Sequence, residues 1–106
     1  PDLSMIDLAK KLDVDIIEFH TGRFCNLVKS ERDLELQKIQ IACNHANNLS
    51  IECHAGHGLN FETSKEIIQI REIRELNIGH FLVGEAIFDG FGETIKKMKK
   101  IISGKL

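Results

Sequence analysis

A chain of 106 residues that is 42% hydrophobic and 28% charged, with a formal net charge of −2, has the length and balance of one soluble globular domain. It contains no Trp or Tyr to build a base-stacking platform beside a basic face, which argues against a nucleic-acid partner. No apolar run approaches the ~20 residues of a membrane span, and no signal-peptide pattern opens the chain.

Met5, Leu8, Ala9 and Leu12 recur at helical spacing and predict an amphipathic helix over residues 3–13. "DIIEF" predicts a short strand from Asp15 to Phe19 that runs into "HTGRF". Ser30-Glu31-Arg32-Asp33 resembles a capping box opening a long helix, with Leu36, Ile39, Cys43 and Ala46 along one face and Asn47-Asn48 at its end. "SIECH" predicts a second strand leading into Ala55-Gly56-His57-Gly58. Thr63-Ser64-Lys65-Glu66 then caps a third helix carrying Ile67, Ile68 and Ile70. "ELNIGH" reads as a third strand, "FLVGEAIFDG" as a short apolar helix, and the remainder as a final helix with Phe91, Ile95, Met98 and Ile102 inward. The basic run of Lys96, Lys97, Lys99 and Lys100 suits the C-terminal end of that helix and reads as a solvated face. Residues 1–106 thus form a single domain, in the order α-β-α-β-α-β-α-α.

Strands that alternate with helices imply parallel pairing through crossover helices. In the first strand Glu18 and His20 oppose Ile17 and Phe19, and in the second Glu52 and His54 oppose Ile51 and Cys53. In the third, Glu75, Asn77 and Gly79 oppose Leu76 and Ile78. Each strand therefore has one apolar face for covering helices and one polar face. A doubly wound sheet would be apolar on both faces. A barrel with a polar, chemically active interior fits better, and three strands cannot close one. The expected fold is α/β, part of a larger (β/α) barrel. The opening Pro1-Asp2, without a Met and almost directly before a helix, likewise reads as the interior of a longer protein. Cys25, Cys43 and Cys53 are odd in number, with no C-x-x-C, so free thiols in a reducing, cytoplasmic compartment are expected.

In such barrels the active site lies at the C-terminal strand ends, and phosphate often binds at the last two βα loops and a short extra helix. The unusual residues stand there: Glu18-Phe19-His20-Thr21-Gly22, Ala55-Gly56-His57-Gly58 and Asn77-Ile78-Gly79-His80. Glycines let backbone N–H groups turn toward an anion, and a helix N-terminus adds partial positive charge. On these residues alone, the segment from Ile51 to Phe61 leaves three readings open. It is a metal site, a phosphate-binding loop with an acid–base histidine, or an ordinary His-rich turn. His54, His57 and His80 are ligand types that tetrahedral zinc accepts, but His-x-x-His in a Gly-rich turn lacks the helical HExxH spacing. The plain reading of His20 is a hydrogen-bonded strand end, of His45 a structural helix residue, of His80 a helix cap, and of Cys53 packing.

"EFHTGRF", "AGHGLNF" and "ELNIGHFLVGEAIFDG", in this order and spacing, closely resemble the pyridoxine 5′-phosphate synthases of vitamin B6 biosynthesis. The resemblance runs over essentially the whole chain and covers the C-terminal part of that family, strands six to eight of a (β/α)₈ TIM barrel with their helices. It implies a transferase-type enzyme that condenses 1-deoxy-D-xylulose 5-phosphate with 3-amino-2-oxopropyl phosphate, releasing phosphate and water as the pyridine ring closes. On the family's pattern His57 is a proton donor, Glu18 stabilises a transition state, Gly58 contacts substrate, and Gly79 and His80 bind its phosphate. The implied partners are phosphorylated small molecules and further copies of the chain, since the family assembles as homo-octamers. No metal or organic cofactor is implied.

Two positions depart from the family pattern. His54 stands where Asn is common, which bears on the surroundings of His57, and Glu85 stands where Arg is common, which removes a cationic contact. The chemistry agrees with the implied roles. Ring closure moves protons repeatedly near neutral pH, which suits histidine, and a carboxylate such as Glu18 stabilises developing iminium charge. A branched side chain at Gly58 is expected to block the approach of backbone to ligand. The rival readings are a small α/β module that binds a phosphorylated ligand without catalysis, and a zinc-dependent hydrolase.

Overall fold

A computed structural model describes residues 2–104. Pro1, half of the dipeptide that read as the interior of a longer protein, lies outside them. The elements are α1 Leu3–Lys11, β1 Ile16–His20, α2 Gly22–Asn26, α3 Lys29–Asn48, β2 Glu52–Gly56, α4 Phe61–Ile67, β3 Ile73–Asn77, α5 His80–Asp89 and α6 Phe91–Ser103. Asp2 caps α1, its carboxylate accepting from the Ser4 N–H at 3.0 Å. Left-handed residues turn the chain out of the helices that precede the first two strands: Asp13 at φ 59° after α1 and Ser50 at φ 61° after α3.

The strands form a parallel sheet in the order β1-β2-β3, as the alternation of elements implies. Glu18 pairs with His54 and His54 with Glu75, while His20 pairs with Gly56 and Gly56 with Asn77. These residues share the polar face. An irregularity between Cys53 and His54 absorbs Arg74 and keeps Glu75 and Asn77 on that face. Beneath the opposite face, Phe19, Cys53, Ala55 and Ile73 pack with Ile6 of α1, Phe24 of α2, Ile39, Ala42, Cys43 and Ala46 of α3, and Ile67 of α4. Each large side chain buried here contributes roughly 1.5–3 kcal/mol.

Several local expectations change. Helix α1 buries Ile6, whereas Met5, Leu8 and Leu12 of the predicted stripe are exposed and Ala9 is half-buried. In α6 Met98 is buried with Thr94, Ile95 and Ile102 are half-buried, and Phe91 is exposed. The apolar α5 has no buried residue among those described. Helix α3 begins before Ser30, at Lys29 with Val28 as its uncapped leading residue. Its first turn is fixed by tertiary contacts instead. The Arg32 guanidinium reaches Glu66 at 2.8 and 3.1 Å, Glu62 at 3.0 Å and the Leu27 carbonyl at 3.0 Å. Helix α4 starts at Phe61, so Thr63 is its third residue. Asn60 is the cap: its side chain accepts from the Thr63 N–H at 2.8 Å and the Thr63 hydroxyl accepts from the Asn60 N–H at 2.9 Å. Strand β3 runs from Ile73 to Asn77, not to His80. Its pairing ends with Gly56, and Gly79 and His80 open α5.

Candidate active site

The C-terminal ends of the three strands meet at one cleft of about 730 Å³, lined by Glu18, His57, Gly58, Gly79 and His80 among others. All five residues expected from the sequence are thus brought to one place. A larger cavity of about 860 Å³ lies between α4 and α6, around Phe61, Lys65 and Lys100, and holds none of the strand-end histidines.

Gly56 ends β2 between the two outer strands. A Cβ there would lie 3.0 Å from the Asn77 carbonyl oxygen and 3.1 Å from Glu18 Oε1. Its absence leaves room for the Asn77 amide to donate to the Glu18 carboxylate, which joins β1 to β3 above β2. That bond fixes the carboxylate at the cleft wall, and its second oxygen has no hydrogen bond among the described residues.

The next residue, His57, has φ 92°, a left-handed backbone that L side chains rarely adopt. Its ring lies 4.1 Å from that of His20, centroid to centroid, with 27° between the planes. The Thr21 hydroxyl, fully buried, lies 2.7 Å from the His57 carbonyl and 2.9 Å from that of Gly56. His20 is a hydrogen-bonded strand end, as its plain reading had it, because the Gly22 N–H donates to its Nδ1 at 3.3 Å. It also touches His57, and together with the short helix α2 and Thr21 this is what sequence reasoning missed. The only local signal was a Thr between a His and a Gly at a strand end.

Gly58 also has a left-handed backbone, at φ 78°. A Cβ on Gly58 would point to Cys25, 3.3 Å from its Cβ and 3.6 Å from its Sγ. A side chain at Gly58 would therefore press against α2 as well as strain the backbone. Burial pushes the Cys25 thiol up, so it stays protonated, and it lies 3.7 Å from the His57 carbonyl, to which it donates. Gly79 leads into α5, and His80 is its first residue, where backbone N–H groups face outward.

The departures from the family pattern act elsewhere. The His54 ring bonds Glu52 at 2.6 Å and lies 4.0 Å from Glu75, so its charge partners are lower on the polar face and not at His57. Glu85 is half-buried on α5 and does not line the cleft. Among the described residues no three His, Cys, Asp or Glu side chains converge as a ligand set, so His54, His57 and His80 do not assemble a zinc site. His45 bonds Asp7 at 2.6 Å and ties α3 to α1, a structural role.

Comparison with known proteins agrees with this geometry. The family model described as "Pyridoxal phosphate biosynthesis protein PdxJ" matches residues 1–104. A pyridoxine 5′-phosphate synthase of Ehrlichia canis is 48% identical over 97% of this chain and 42% of its own length. The enzymes of that name from Zymomonas mobilis and Wolbachia pipientis are 48% and 46% identical, over 96% and 97% of this chain and 40% and 43% of theirs. The chain thus spans about two-fifths of the length of these relatives. With its full described length matched and its strand-end glycines and histidines gathered at one cleft, the chain belongs to the PdxJ family of pyridoxal phosphate biosynthesis proteins.

Proposed function

We propose that the protein containing this span is a pyridoxine 5′-phosphate synthase, and that β1, β2 and β3 are strands six to eight of a (β/α)₈ barrel. The observation that carries the reading is the convergence of Glu18, His57, Gly58, Gly79 and His80 on one cleft at the strand ends of a PdxJ-family chain. The polar sheet face fits a barrel interior, and the apolar face already carries its helices.

The reaction joins the amine of 3-amino-2-oxopropyl phosphate to the carbonyl of 1-deoxy-D-xylulose 5-phosphate, eliminates phosphate and closes the ring with loss of water. His57 delivers a proton to a departing oxygen, a task to which an imidazole is suited. Glu18, held by Asn77, faces the cationic iminium character that builds at nitrogen. Gly58 contributes backbone, and the Gly79–His80 turn offers the N–H groups and positive dipole end of α5 to a phosphate dianion. These roles call on no metal or organic cofactor in this reading.

The reading extends to a homo-octameric enzyme in the cytoplasm, with phosphorylated small molecules as ligands and neither nucleic acid nor membrane as partner. No helix among the described residues is long and apolar enough to cross a membrane. The test is direct. The full-length protein, given both substrates, is expected to release inorganic phosphate and pyridoxine 5′-phosphate, while this 106-residue span alone is expected to give no turnover. Ligand binding without product from the full-length protein would favour a non-catalytic phosphate-binding module. Loss of activity to a chelator, reversed by zinc alone, would favour the hydrolase.

A further inference from the structure

We infer that His20, Thr21 and Gly22 act together as a positioning cradle for the His57 imidazole. The inference rests on the reading of His57 as the proton donor, and it assigns roles to three residues that this reading leaves without one.

Three separate contacts converge on a single residue. The Thr21 hydroxyl lies 2.7 Å from the His57 carbonyl, and it is fully buried, so no water competes for that bond. The bond holds a carbonyl whose residue sits at φ 92°, a backbone state that a β-substituted residue leaves unless its surroundings hold it there. The Thr21 N–H anchors the same corner by donating to the Gly56 carbonyl at 2.8 Å. The His20 ring covers one face of the His57 ring at 4.1 Å. It is itself oriented by the Gly22 N–H, which uses Nδ1 as acceptor and so leaves the ring proton of a neutral His20 on Nε2. Gly22 completes the arrangement through what it lacks. A Cβ there would stand 2.7 Å from His20 Cε1 and 3.0 Å from His57 Cδ2, closer than a Cβ normally comes to either ring.

A plain packing role explains a buried Thr or a close-packed Gly taken singly. It does not explain why a hydroxyl at its backbone, and a ring face and a missing Cβ at its side chain, all from consecutive residues, meet one histidine that lines the cleft. A proton donor works only from a near-attack geometry, and a displacement of about 1 Å costs on the order of 100-fold in rate. Holding the backbone by one contact and the ring plane by another removes the two freedoms by which His57 would drift.

The experiment is a double-mutant cycle in the full-length enzyme. Thr21→Val keeps the shape and removes the hydroxyl, Thr21→Ser restores it, Gly22→Ala inserts the Cβ, and His57→Asn removes the donor. Thr21→Val and Gly22→Ala are each expected to lower kcat roughly 10- to 100-fold with KM little changed, and Thr21→Ser to recover most of the loss. In the His57→Asn background neither change should lower kcat further, because both act through the ring already removed. Losses that multiply with that of His57→Asn would overturn the cradle, as would variants that melt like wild type and keep wild-type kcat. If Gly22→Ala fails to fold, Thr21→Val and Thr21→Ser carry the cycle. If His57→Asn itself keeps normal kcat, the reading of His57 as donor fails. If His57→Asn is slow while Thr21→Val and Gly22→Ala are not, the cradle alone fails.

Discussion

Replacing His57 by Asn tests the acid–base reading cleanly, and the structure dictates the choice of Asn. His57 has φ 92°, a backbone that His and Asn adopt more readily than Ala, so Ala would add strain to the loss of the imidazole. Asn visits left-handed backbone more readily than most residues and removes the ring with little of that penalty. Loss of the ring contact with His20, 4.1 Å away, falls on stability, where such pairs are worth about 0.5–1.5 kcal/mol. The chemical step is affected on another scale. General acid catalysis contributes roughly 10²–10⁴-fold, or about 2.7–5.4 kcal/mol of transition-state stabilisation. One neutral hydrogen bond to bound substrate is worth only ~1 kcal/mol, about five-fold. The variant in the full-length enzyme should therefore lose kcat by at least ~100-fold while KM moves by only a few-fold. Steady-state kinetics with each phosphorylated substrate varied in turn, beside a thermal melt, separates the two effects. A variant with near-normal kcat and a raised KM would refute the reasoning and leave His57 as part of a turn.

Gly58→Ala should lower stability by about 1–2 kcal/mol from its left-handed backbone alone, with more from the Cβ that would lie 3.3 Å from Cys25 Cβ. Urea unfolding of full-length wild type and variant measures this, and an unchanged midpoint would contradict it. The buried Arg32–Glu66 pair carries a pH dependence of definite sign. Arg32, and then Lys29, hold the Glu66 carboxyl below the ordinary carboxylate range. A depressed carboxylate pKa contributes stability that is present above the unfolded-state value of about 4.5 and is lost as pH falls through the lower folded-state value. Glu66→Gln should therefore be less stable at neutral pH and show a flatter loss of stability on acidification below about pH 4.5, followed by urea midpoints across that range.

Much of this protein was legible in the order of its residues. Alternating faces in "DIIEFH" and "SIECH", separated by helical stretches, are local signals, and they suffice for a parallel α/β sheet with one polar face. Glycines and histidines at the strand ends mark the cleft for the same reason, since the strand period sets which residues reach the ends together. What periodicity does not contain is contact between distant residues. The starts of α3 and α4 were misread because Ser30 and Thr63 resemble caps, whereas Arg32 is fixed by Glu66, 34 residues away, and Asn60 supplies the α4 cap. The helical spacing of Met5, Leu8 and Leu12 was likewise silent on which face of α1 meets α3. His54 could be placed on the polar face from sequence, but its choice of Glu52 over His57 depends on how the side chains lean within the sheet. The contact between Thr21 and His57 spans 36 residues and rests on two loop conformations, one of them left-handed at a residue that is not glycine. The sequence determined which residues gather at the strand ends. Only the folded chain decided how they hold one another, because a hydrogen bond of 2.7 Å requires both loops to be in place before either shows its purpose.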